Sequence, residues 1–149
     1  MFQKLLIATD LSDGSEVALR TGLELARALG AQVVILHVIE AVLEAKTWFL
    51  PDSAAVEAVR KTVASEADVV RDRLVAQVAA FGGGPAEVLV RYGRPGDEIP
   101  ACAEEVGADL IVVGTHGRRG FQRAIMGEVA SRVARTAGRA VLAIPRRQA

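Results

Sequence analysis

Five short runs rich in Val, Leu, Ile and Ala, each parted from the next by a longer stretch of helical spacing, constrain this chain more than any other feature. They are Lys4–Thr9 (KLLIAT), Gln32–Val38 (QVVILHV), Ala86–Arg91 (AEVLVR), Asp109–Gly114 (DLIVVG) and Arg139–Pro145 (RAVLAIP). Strand alternating with helix predicts βαβ units and a parallel sheet. Runs this continuously apolar suit strands covered on both faces. Right-handed crossovers then wind helices onto the two faces, so the expected architecture is α/β: an open doubly wound five-stranded parallel sheet.

The intervening segments are Ser15–Leu29, Pro51–Phe81, Pro95–Val106 and Phe121–Ala137. In the second, Val56, Val59, Val63, Ala67, Val70, Leu74, Val78 and Phe81 step by three or four, one stripe along a helix of about eight turns. Gly82-Gly83-Gly84-Pro85 ends it. The fourth repeats Phe121, Ile125, Val129 and Val133 at intervals of four, and Pro95 stands where a first-turn proline belongs. Ser12, Asp13 and Ser15 are N-cap candidates for the first helix. With 149 residues, no linker and no internal repeat, the chain reads as one domain, 1–149. Glu40–Leu50, which holds the single Trp48 beside Phe49, fits neither pattern; it reads as a loop or short helix on the sheet edge, or as a lid or partner surface.

Composition excludes several classes of protein. The one cysteine, Cys102, has no partner within the chain, which rules out an internal disulfide framework or a cysteine metal cluster. No run reaches the ~18 apolar residues of a spanning helix, and Leu5–Ala8 is too short for a signal core. These features lead to the expectation of a cytoplasmic protein that engages no membrane. Formal net charge is zero, yet from Gly114 onward eight arginines face a single acid, Glu128. This basic quarter attracts anions, although Arg132, Arg135 and Arg139 are equally readable as solvated positions. No helix-turn-helix or zinc-finger pattern accompanies the charge, so no nucleic acid is expected.

In an open parallel sheet, ligands bind beyond the strand C-termini where the strand order reverses, and either common order puts the first strand there. That singles out Thr9 and Asp10, with Val113 and Gly114 at the end of strand four. The stretch Gly114-Thr-His-Gly117-Arg-Arg-Gly120 leaves that strand, and Gly127 precedes the last helix. Glycines let the backbone close on an anion, and their N–H groups with a nearby helix start offer the positive end a phosphate needs. Neither a P-loop nor a GxGxxG motif is present. Asp10 doubles as a turn residue, since Asp-x-Ser-Asp-Gly-Ser is turn chemistry in itself. His37 reads as a satisfied residue at the sheet's edge, and His116 as a loop-orienting or phosphate-contacting residue. No nucleophile–base set and no metal-ligand spacing can be assembled, so at most slow hydrolysis is expected.

Gly114-x2-Gly117-x9-Gly127 resembles the G-x2-G-x9-G-[ST] nucleotide motif of the universal stress protein family. KLLIATDLSDGSEVAL, ILHVIE, YGRPGDEI and the terminal AVLAIP are similar to other parts of that family, so the resemblance covers nearly the whole chain. It implies a flavodoxin-like (adenine nucleotide alpha hydrolase-like) sheet that binds ATP, or AMP or ADP, with or without Mg²⁺, as a stress-response switch. It also implies a homodimer, here through the terminal strand 140–144. Carried onto this chain, Asp10 and Val38 face the adenine and ribose, while Val113, Gly114, Gly117 and Gly127 line the ribose and phosphate path. Thr9, His116, Arg118, Glu128 and Val129 complete the candidate set. Glu128 departs from the family's Ser or Thr. It either turns to solvent, reaches the phosphates through a divalent metal, or restricts the site to AMP-like ligands; Arg118, Arg119 and Arg123 could offset its charge. If the nucleotide has been lost, the same fold is left as an interaction module.

Overall fold

The computed structural model describes residues 1–40, 53–116 and 126–146. The elements run β1 (Lys4–Ala8), α1 (Asp13–Leu29), β2 (Gln32–Glu40), α2 (Ser53–Ala80), β3 (Ala86–Gly93), α3 (Pro95–Val106), β4 (Leu110–Gly114), α4 (Glu128–Thr136) and β5 (Ala140–Ile144). All five strands are parallel in the order β3-β2-β1-β4-β5. The two-residue period of the strands divides the core in two. Leu6, Ala8, Val34, Leu36, Ile111 and Val113 face α3 and α4, whereas Leu5, Ile7, Ile35, Leu110 and Val112 face α1 and α2. Helices therefore cover both faces, as the sequence pattern requires. Complete burial of a Leu or Ile such as Leu6 or Ile7 is worth about 1.5–3 kcal/mol.

Three expectations need correction. Burial on both faces holds for β1, β4 and the middle of β2, but β3 and β5 are half-exposed along most of their length, because they are the edges. The apolar stripe of α2 is buried only at Leu74 and Val78; Val56, Val59, Val63, Ala67 and Val70 are half-exposed. A helix of 28 residues is roughly 42 Å long, and even the nine-residue β2 spans only about 30 Å, so α2 overhangs the sheet. A Tyr92 hydroxyl that donates to the Val63 carbonyl at 2.6 Å ties the overhang to β3.

On α4 the buried row is Ala130, Val133 and Ala137, while Val129 is 38% exposed. A four-residue interval advances by about 40° per step on a helix of 3.6 residues per turn, so it drifts off the face that a three-and-four pattern keeps. Phe121 and Ile125 lie outside the described residues, as do Trp48 and Phe49. Arg139, for which a solvated position was one of two open readings, folds inward: one guanidinium N–H donates to the Ala108 carbonyl at 2.5 Å, and its Nε is buried. Among the described residues no helix is long and apolar enough to cross a membrane.

Candidate functional site

The reversal of strand order falls at β1, which pairs with β2 on one side and β4 on the other. α1, which follows β1, covers one face of the sheet, and α4, the next described helix after β4, covers the other, so the helices that follow these neighbouring strands lie on opposite faces. The register Ile7↔Val112 and Ala8↔Leu36 sets Thr9, Val113 and Gly114 alongside one another, with Val38 close by on β2. Val113 and Val38 are buried on the α3–α4 side. The strand-end residues named from sequence are thus brought together.

The start of α1 reaches the exit of β4 in direct backbone contact. A Cβ on Gly14 would lie 2.4 Å from the His116 carbonyl oxygen, so this position admits no side chain without a shift. Gly127 closes the other side: its N–H donates to the Thr115 carbonyl at 2.7 Å, and a Cβ there would meet the same oxygen at 2.8 Å. Thr115 N–H in turn donates to the Ile144 carbonyl at 3.0 Å, which ties the exit of β4 to the end of β5. The two helix N-termini flanking this exit differ. In α1, the Ser12 side chain caps the Ser15 N–H at 3.3 Å, so the first helix starts at Asp13 rather than Ser15. In α4, Gly127 is the N-cap and no side-chain hydrogen bond caps the helix. The backbone N–H groups at the start of a helix carry roughly half a positive charge between them.

Between β1 and α1 the chain makes a polar turn. The Asp10 carboxylate accepts from the Ser12 N–H at 2.9 Å and from the Ser12 hydroxyl through the same oxygen, which is the turn role open to it from sequence. Thr9 Oγ1 pairs with Ser15 Oγ at 3.0 Å and accepts from the Leu11 N–H at 3.1 Å. Leu11 takes φ 64°, a left-handed conformation that costs a branched side chain on the order of 1 kcal/mol or more. His37, 6% exposed, places Nδ1 2.8 Å from the Thr9 carbonyl oxygen. It is satisfied, as expected, but on an interior strand.

The remaining candidates are spread around the exit of β4. His116 Nδ1 pairs with Thr115 Oγ1 at 2.8 Å, holding its ring along the chain as it leaves the strand. Glu128 occupies the first turn of α4 and is exposed, as Val129 is. Asp13 occupies the first turn of α1, with Arg146 at 3.8 Å, and Arg132 of α4 is bound to Asp97 of α3 at 2.5 Å. Gly117 and Arg118, with Arg119 and Arg123, lie outside the described residues. Among the described residues no three of His, Cys, Asp and Glu gather where they could hold a metal. The Cys102 thiol is fully buried between strand and helix, and burial pushes its pKa up, away from nucleophilic character. Sequence reasoning passed over Gly14 and Thr115, and read Ser15 only as a candidate helix cap. Their only signal was the turn-rich Asp-Gly-Ser and the Thr after Gly114, both ordinary at any strand-to-helix turn.

An open doubly wound sheet with helix N-termini converging at the reversal of its strand order defines an α/β protein of the class that receives ligands at its strand ends. Residues 1–145 match the universal stress protein family. Universal stress protein YxiE of Bacillus subtilis is 34% identical over 138 residues, 89% of this chain and 92% of that protein. A solved universal stress protein in complex with cAMP is 26% identical, with a TM-score of 0.65 and 97% of each chain covered. The universal stress protein of Archaeoglobus fulgidus in complex with dAMP is 27% identical, with a TM-score of 0.60 over 97% of this chain and 98% of that one. The chain belongs to the universal stress protein family.

Proposed function

We propose that this protein is a cytoplasmic regulatory switch that binds an adenine nucleotide across the ends of β1, β2 and β4. Asp10 and Val38 receive the base and sugar; Val113, Gly114 and the start of α4 receive the phosphate. The observation that carries this reading is the α4 N-terminus, which begins at a glycine, has no side-chain cap, and stands beside the strand-order reversal. Two relatives with bound ligands hold adenine nucleotides with a single phosphate, cAMP and dAMP.

Glu128 favours the same restriction. It opens α4 with a negative charge, and a carboxylate 4 Å from a phosphate oxygen repels it by about 1 kcal/mol in a water-like dielectric and more as water is excluded. AMP-type ligands carry less charge than ATP, so they suffer less from it. In this reading Mg²⁺ arrives only on a triphosphate. The protein pairs with a second copy through the outer edge of β5, 140–144, which lies at the end of the sheet.

The test is denaturation of freshly purified protein and mass spectrometry of what it releases, followed by calorimetric titration with AMP, ADP, ATP and cAMP. Near-stoichiometric adenine nucleotide, or a dissociation constant well below the millimolar range, is expected. An empty protein that titrates with none of them refutes the reading and leaves an interaction module, which the acids opening α1 and α4 favour. Glu128→Ser is expected to raise ATP affinity about tenfold while AMP affinity stays within about threefold.

A further inference from the structure

Thr9 lies one residue beyond β1, where its place at the strand-order reversal makes it a candidate ligand contact. In the structure each of its polar atoms is engaged within the protein. Its N–H donates to the Leu36 carbonyl at 3.0 Å, and its hydroxyl pairs with Ser15 at 3.0 Å and accepts from the Leu11 N–H at 3.1 Å. Its carbonyl meets His37 Nδ1 at 2.8 Å. A carbonyl oxygen only accepts, so His37 Nδ1 carries a proton and donates it. Immediately downstream the chain passes Asp10 and turns through the left-handed Leu11. A turn forced through that conformation stays in place only while its surroundings hold it. The holding groups are Ser12 and Ser15 on the helix side and His37 on the sheet side.

We propose that Thr9 and His37 are positioning residues: they latch the end of β1 so that the Asp10 turn is already in its ligand-receiving form before a ligand arrives. This rests on the adenine-nucleotide reading above for what Asp10 receives, but not for the latch itself. Thr9, with its hydrogen-bonding groups engaged inside the protein and 6% exposed, acts through its neighbour rather than on the nucleotide. Ordering the turn in advance removes an entropic cost from binding.

The side chains of Asn and Gln separate this role from general packing. The amide nitrogen of Asn can stand where Nδ1 stands, whereas that of Gln falls nearer the position of Nε2. In His37→Gln, which loses the bond to the Thr9 carbonyl, and Thr9→Val, which loses those to Ser15 and Leu11, AMP affinity is expected to fall about tenfold; in His37→Asn and Thr9→Ser it stays within about threefold of the parent. In the ligand-free proteins, amide exchange at Leu11 and Ser12 is expected to quicken about tenfold in the first pair only, with Val112 and Val113 unchanged. Nitrogen-15 spectra of the parent are expected to show the His37 proton on Nδ1.

Asn and Gln variants that behave alike, or exchange that quickens equally along β4, overturn the proposal. A parent protein that binds none of AMP, ADP, ATP and cAMP sinks the nucleotide reading alone, and the exchange measurements then decide the latch by themselves. If the His37 variants fail to fold, the Thr9 pair carries the same comparison.

Discussion

Gly14 and Gly84 differ in what a methyl group would meet. At Gly14 it would press on the His116 carbonyl; at Gly84 nothing lies within 4 Å. Gly14→Ala is expected to cost about 1–3 kcal/mol in urea unfolding, as overpacking does, whereas Gly84→Ala is expected to be neutral or to stabilise by roughly 0.4–1 kcal/mol through the unfolded chain. Equal effects at the two sites would mean that the α1–β4 contact yields freely. At this scale the candidate site was partly legible. Asp10 and Gly127 stood out because their chemistry is tied to a turn and a helix start, and strand ends place Val113 and Gly114. Gly14 and His37 were not legible as parts of the site, because what they do depends on residues about a hundred and about thirty positions away, the His116 carbonyl and the Thr9 carbonyl. No local spacing encodes such a contact.

α2 shows how an element can be right in type and wrong in burial. Its stripe of apolar residues is continuous, but only the part lying over the sheet is packed. Leu74→Ala is expected to cost about 2–5 kcal/mol by leaving a cavity, while Val59→Ala costs less than about 1 kcal/mol, compared by chemical denaturation. Amide exchange is expected to be faster over residues 56–66 than over 72–78, since few buried contacts hold the overhang. The strands were legible because central parallel strands need apolar residues at every position, a pattern that no amphipathic helix shares. Their edge members were not distinguished, since β5 is as apolar as β1 and the Val88, Leu89 and Val90 run of β3 between Glu87 and Arg91 looks like that of a covered strand. Composition fixes that a strand is paired, and strand order decides how much of it is covered.

For the whole molecule, the alternation of strand and helix was enough to reach the architecture, because handedness and the burial of both faces leave few ways to connect five parallel strands. The end of the sheet opposite the crevice holds a charge that stabilises the assembly. The Asp109 carboxylate accepts from the Gln3 N–H at 2.8 Å and the Lys4 N–H at 3.2 Å, and the Gln3 bond foremost holds its pKa below the usual value. A group held lower in the folded state stabilises fully above its unfolded pKa, about 3.9, and loses that effect as pH falls through the folded value. Asp109→Asn is therefore expected to reduce the acid sensitivity of unfolding below about pH 4, read from urea midpoints across pH; an unchanged acid limb would count against the bond. The pairing of Leu5 with Leu110 also has a consequence during synthesis. At ribosomal speeds of about 5–20 residues per second, the first strand to emerge waits roughly 5–20 s for the neighbour that completes it. Throughout that interval a strand whose Leu5, Leu6 and Ile7 end fully buried has one open edge in a crowded cell, and its protection falls to β2, α1 and whatever chaperone meets the nascent chain.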